Sequence, residues 1–165
     1  MREPNKRPYS GYYDDAPAEE DAELTHVGRR TPCGEFMRRF WQPVAMTATV
    51  GERPTRLRIL GEDLVLFRDR SGRYGLLGLH CSHRGTSLEF GIPTDRGLRC
   101  CYHGWLYDVD GALLEAPGEP ATTRLCQSVV HPAYPVREHN GLVFAYMGPP
   151  DAMPEFPIFD AAAVP

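Results

Sequence analysis

A chain of 165 residues has room for one domain of ordinary size with tails, and its 42% hydrophobic and 24% charged residues suit a folded, water-soluble protein. A net charge of −4 lacks the basic surplus that phosphate backbones require, so no nucleic-acid partner is expected. No run approaches the roughly 18 uncharged apolar residues of a membrane helix, and the start, MREPNKRPYSGYYDDAPAEED, has no apolar signal core, so a cytoplasmic location is expected.

Residues 1–25 hold seven acids against Arg2, Lys6 and Arg7, which accounts for the whole charge excess. This composition predicts a solvated, poorly ordered tail, with a docking arm for a partner as the alternative. Thr31-Pro32 ahead of CGEFMRRFW predicts a short helix with Thr31 as N-cap, ending before Pro43. Strand-like runs follow. TRLRIL (55–60) turns at Gly61-Glu62-Asp63 into LVLFR (64–68), and Asp69-Arg70-Ser71-Gly72 turns into RYGLLGL (73–79). GLRC (97–100) and WLYDV (105–109) flank a loop, and Asp110-Gly111 is a further turn. YPVRE (134–138) and LVFAYM (142–147) are joined at Asn140-Gly141, a strong hairpin signal. Sixteen glycines and sixteen prolines fit this pattern of short strands and many turns. The expected fold is mostly β, an antiparallel sandwich or small barrel with one short N-terminal helix. Residues 149–165, rich in proline, read as a linker or a tail packed along the surface.

Five cysteines is an odd number, and with no export signal a metal or free thiols is the better expectation than a disulfide framework. Two segments concentrate the ligand-type residues: HCSHRGTSLEFG (80–91) and RCCYHGWLYD (99–108). They contain Cys81-x-His83 and Cys100-x-x-His103, with sixteen residues between His83 and Cys100. Two arrangements use such a set. One is a single tetrahedral zinc, whose usual pattern keeps the Cys pair in one knuckle and the His pair in another. The other is a centre with two metal positions, to each of which each loop gives one ligand. Gly85 and Gly104 lie beside the ligands and would let backbone amides approach bridging sulfides.

On these residues the sequence resembles the Rieske domain of Rieske non-haem iron, ring-hydroxylating oxygenases, in their phthalate-dioxygenase-like branch. CSHRGTSL and CCYHGW match that family's C-x-H-R-G and C-x-x-H-G-W boxes, and the likeness runs from about Thr31 to Gly148, with GEFMRRFWQPVAM included. The resemblance implies a Rieske-type fold with a two-loop cluster-binding subdomain over residues 26–148. It implies a [2Fe–2S] cluster held by Cys81, His83, Cys100 and His103, with Arg84, Gly85, Tyr102, Gly104 and Trp105 around it. It also selects Cys100 over Cys101 as ligand, leaving Cys101 a packed thiol and Cys33 and Cys126 ordinary buried residues. Trp105 is expected to shield the site. His80 has no expected role, and His26, His131 and His139 are expected in solvent.

The respiratory Rieske type has an extra cysteine in each loop and a hydroxyl after the His-Gly; here Tyr102 and Trp105 stand in the second loop's positions. Fewer donors to sulfur place the expected potential at the low end of the Rieske range, on the order of −150 to 0 mV. Outside the two boxes no pair of histidines with an acid suits the 2-His-1-carboxylate iron site of the family's catalytic domain. The chain is thus expected to pass electrons without oxygenating a substrate, and no catalytic residue is assigned. Expected partners are an NAD(P)H-dependent reductase or ferredoxin as donor, a mononuclear-iron oxygenase domain as acceptor, and sister subunits in a homotrimer formed through that domain. A stand-alone Rieske ferredoxin and a zinc-stabilised binding module are the alternatives.

Overall fold

A computed structural model describes residues 19–120 and 122–158. Among the described residues three short α-helices, α1 (Ala22–Thr25), α2 (Pro32–Met37) and α3 (Leu125–Ser128), and three single 3-10 turns accompany eleven strands. The strands are β1 (Trp41–Met46), β2 (Thr55–Ile59), β3 (Glu62–Arg68), β4 (Tyr74–Gly78), β5 (Ile92–Thr94), β6 (Gly97–Arg99), β7 (Leu106–Tyr107), β8 (Leu113–Glu115), β9 (Ala133–Tyr134), β10 (Val136–His139) and β11 (Leu142–Tyr146). They form three antiparallel sheets, ordered β1-β11-β10, β2-β3-β4-β9 and β5-β6-β7-β8.

The middle sheet has a core on each face, which explains the unbroken apolar run in β3. Side chains alternate across a strand, so Leu64 and Leu66 join Leu76, Val143, Ala145 and Met147 on one side. Val65 and Phe67 point the other way, into a cluster with Leu77, Leu79, Leu88, Leu98, Trp105 and Tyr107 that also buries Cys81 and Cys100. All four β3 residues are buried. Cys81 and Cys100 are therefore part of the second core rather than surface appendages.

Turn chemistry fixes the hairpins. Asn140 and Gly141 both take positive φ, 48° and 77°, which the two-residue turn between β10 and β11 requires. The β2–β3 turn lies at Leu60-Gly61 (φ 47° and 78°), earlier than Gly61-Glu62-Asp63, because Glu62 and Asp63 are already paired in β3. Thr31 caps α2 as expected, its Oγ1 accepting from the Gly34 amide at 3.2 Å. The helix stops at Met37, earlier than Pro43, and Trp41–Met46 becomes an edge strand. Edge strands tolerate Pro43, and the register slips between Pro43 and Ala45. WLYDV shrinks to the two residues of β7. The three-residue strands β5 and β8 were too short to leave a sequence signal.

Asp21 caps α1, so regular structure reaches into the acidic segment; residues 1–18 lie outside the described residues. After β11 the chain packs back: Trp41 Nε1 donates to the Pro154 carbonyl at 3.2 Å, and Phe156 lies edge-on against Trp41 and Phe144. Residues 159–165 also lie outside the described residues. Among the described residues no helix is long and apolar enough to cross a membrane.

A polar knot ties the N-terminal segment to the middle sheet. Glu62 accepts from Arg29 Nε at 2.9 Å, from Arg38 Nη1 at 2.5 Å and from the Tyr134 hydroxyl at 2.6 Å. Arg38 is almost fully buried, and its second nitrogen donates to the Leu60 carbonyl at 2.8 Å.

Candidate metal centre

The two ligand segments are one loop built twice. In the first, the Cys81 amide donates to the Thr86 carbonyl at 2.9 Å and the Gly85 amide to the Cys81 carbonyl at 2.8 Å. In the second, the Cys100 amide donates to the Trp105 carbonyl at 2.8 Å and the Gly104 amide to the Cys100 carbonyl at 3.1 Å. Each loop closes on a glycine in the left-handed region, Gly85 at φ 71° and Gly104 at φ 75°, where a side chain would be strained. The residue before each cysteine braces its loop. The carbonyl of Gly85 accepts from His80 Nδ1 at 3.1 Å, and that of Gly104 from Arg99 Nη1 at 2.8 Å. Arg99 is held in turn by Glu115 at 2.6 Å.

The loops bring the four ligand candidates together as a thiol pair and an imidazole pair. Cys81 and Cys100 are buried neighbours with free thiols. Burial raises the Cys100 thiol pKa, partly offset by the Tyr102 and His103 amides that donate to its sulfur. The His83 and His103 rings lie 4.7 Å apart. Trp105 is buried and stacks on His83 at 4.6 Å and 6°. Its buried Nε1 has no partner among the described residues. Tyr102 is exposed and packs on His103 at 3.7 Å; Arg84 is exposed.

This donor set fits a two-iron, two-sulfide core: two thiols, two imidazoles, backbone amides at the Cys100 sulfur and a buried, unpartnered indole N–H on Trp105. Among the described residues no three His, Cys, Asp or Glu side chains converge on a single-ion site.

Several side chains stand elsewhere than the sequence suggested. Cys101 and Cys126 are exposed, not packed, because a turn and the polar face of α3 carry them outward; Cys33 is half-buried. His131 is not solvated. It is 1% exposed, and burial lowers its pKa below the ordinary histidine value. His139 is half-buried against Phe156, whereas His26 is exposed beside Glu20. Sequence reasoning missed Tyr107, whose hydroxyl lies 3.2 Å from Cys81 Sγ. A signal existed, since strand alternation puts Tyr107 on the same face as Trp105.

Residues 40–135 match the family model of the Rieske [2Fe–2S] domain. The chain is 55% identical over 162 residues to the tert-butanol monooxygenase / tert-amyl alcohol desaturase oxygenase subunit of Aquincola tertiaricarbonis, covering 95% of this chain and 34% of that one. It is 50% identical over 141 residues to the phthalate 4,5-dioxygenase oxygenase subunit of Pseudomonas putida, covering 84% of this chain and 32% of the relative. Among solved structures, an oxygenase and ferredoxin complex of carbazole 1,9a-dioxygenase superposes with a TM-score of 0.61 at 34% identity, over 72% of this chain and 31% of that one. The chain thus spans about a third of the length of the curated relatives it matches. With both boxes inside the matched region and the fold shared, the chain belongs to the Rieske [2Fe–2S] domain family, and its cofactor is a Rieske-type [2Fe–2S] cluster.

Proposed function

We propose that this chain is the electron-carrying domain of a ring-hydroxylating oxygenase subunit, with Cys81 and Cys100 on one iron and His83 and His103 on the other. The carrying observation is the doubled loop, which offers one thiol and one imidazole from each side. When bound, the cluster supplies a store for one electron. The protein's part is to hold the donors and exclude water. Leu79, Leu88 and Leu98 bury the thiol side, while the imidazoles reach the edge, where His83 is 19% exposed by its side chain. Such an edge suits electron exchange with a partner. On this reading residues 26–148 form the Rieske domain and 149–165 lead toward a mononuclear-iron domain that accepts the electron. An NAD(P)H-dependent reductase or a ferredoxin is the donor, and the whole subunit assembles as a trimer through its catalytic domain.

The purified protein is expected to be brown-red, with about two irons and two sulfides per chain and a rhombic EPR signal when reduced. In an anaerobic titration with a reductase it takes up one electron and stops. Colourless protein with stoichiometric zinc overturns the reading, as does sustained NADH oxidation coupled to a hydroxylated product from this chain and the reductase alone.

Tyr107 gives a second test. Its hydroxyl donates to the Cys81 sulfur once that is a thiolate, and a donor to sulfur favours the reduced, more negative state. A net hydrogen bond of about 1 kcal/mol corresponds to roughly 40 mV for one electron, so Tyr107→Phe lowers the midpoint potential by about that much. An unchanged or raised potential removes Tyr107 from the tuning of the cluster.

A further inference from the structure

His131 lies 28 residues beyond the last ligand, in a segment whose proline-rich surroundings look like loop. Its backbone is fixed on both sides: its amide donates to the Gly111 carbonyl at 2.7 Å, and the Gly78 amide donates to the Pro132 carbonyl at 2.8 Å. The ring is buried between the end of β4 and the first ligand loop. Nε2 lies 2.8 Å from the Gly78 carbonyl, and a carbonyl only accepts, so Nε2 carries the proton. Nδ1 is then a bare acceptor, and the Ser82 hydroxyl 2.7 Å away must be the donor. Ser82 sits between Cys81 and His83, so this bond grips the loop between its two ligands.

The same ring packs on Tyr107 at 4.6 Å, and the Tyr107 hydroxyl lies 3.2 Å from Cys81 Sγ. His131 therefore reaches the first thiol by two routes, through Ser82 and through the Tyr107 ring. Among the described residues the second loop has no such buried brace; its support, Arg99 with Glu115, is half-buried.

We propose that His131 is a positioning residue for the cluster: through Ser82 and Tyr107 it holds the first ligand loop so that the donors reach Cys81 sulfur, and it thereby raises the potential of the bound cluster. This rests on the ligand assignment proposed above. No titration of the ring is involved; the ring works as a neutral strut with one donor and one acceptor.

Three variants test it in the full chain loaded with cluster. His131→Phe keeps a ring against Tyr107 but loses both hydrogen bonds, Ser82→Ala removes the same bond from the loop side, and His131→Gln offers a donor and an acceptor at one end. Midpoint potentials come from anaerobic redox titration, and the EPR g-values of the reduced state are recorded alongside. His131→Phe and Ser82→Ala are each expected to lower the potential and shift the g-values. The double variant should fall no further than the lower single one, since both remove one interaction, and His131→Gln should recover part of the loss. Wild-type potential and g-values in a fully loaded His131→Phe protein overturn the proposal, as does an additive double variant. If His131→Phe fails to load, Ser82→Ala decides, and wild-type behaviour there overturns it equally. A colourless wild-type protein fails the cluster assignment instead, so the two failures are told apart.

Discussion

Cys100→Ser is expected to give colourless protein with iron near zero, while its neighbour Cys101→Ala stays brown-red with the full complement. The two thiols are adjacent in sequence and opposite in setting. Cys100 is 4% exposed, packed in the core beside Cys81, and its sulfur receives the amides of Tyr102 and His103. Cys101 begins the turn and is exposed. A serine hydroxyl stays protonated at neutral pH and replaces a thiolate poorly, so one iron loses a ligand. Iron and sulfide analysis with the visible spectrum reads the outcome. Loss in Cys101→Ala with retention in Cys100→Ser would place the second box one residue out of register.

Glu62→Ala is expected to destabilise the fold by about 3 kcal/mol, the cost of leaving a buried cation without its partner. Arg38 is buried, with a side chain 4% exposed, and Glu62 is the only carboxylate bonded to it among the described residues. Burial alone would raise the Glu62 pKa, but the hydrogen bonds from Arg29, Tyr134 and Arg38 outweigh it and hold the carboxyl below the ordinary glutamate value. The sign of the pH dependence follows. A carboxyl lowered in the folded state contributes its full stability above the unfolded value of about 4.3 and loses it as pH falls through the folded value. The urea midpoint of the wild type should therefore exceed that of Glu62→Gln clearly at neutral pH, and the gap should narrow on acidification below about pH 4.3. A gap that does not change with pH would show that the three donors do not depend on the charge of Glu62.

The sequence by itself determined the chemistry of this protein. Cys81, His83, Cys100 and His103 stand out as candidate ligands through the likeness of CSHRGTSL and CCYHGW to the two Rieske boxes, and each box is local: it fits in a few residues and closes on its own glycine. The hairpins at Asn140-Gly141 and Asp69–Gly72 and the cap at Thr31 were legible for the same reason, since turns and caps are written in the residues that form them. Elements whose stability comes from elsewhere were not. Trp41–Met46 contains a proline and becomes a strand only because β11 lies alongside it to accept an edge partner. β5 and β8 are three residues each, too short for a period to show, and exist because β6 and β7 pair with them.

What only the tertiary structure decided is how the ligand loops are supported. Composition marked His131 as solvent-exposed, because a histidine before proline in a polar stretch usually is; folding carries it beneath the first loop, 49 residues back along the chain, to Ser82. Arg38 and Glu62 are likewise 24 residues apart, and neither shows in sequence that it is the other's counter-charge. The donor atoms follow from short-range pattern, whereas the polar network that fixes their orientation comes from long-range packing, which a single sequence does not spell out residue by residue.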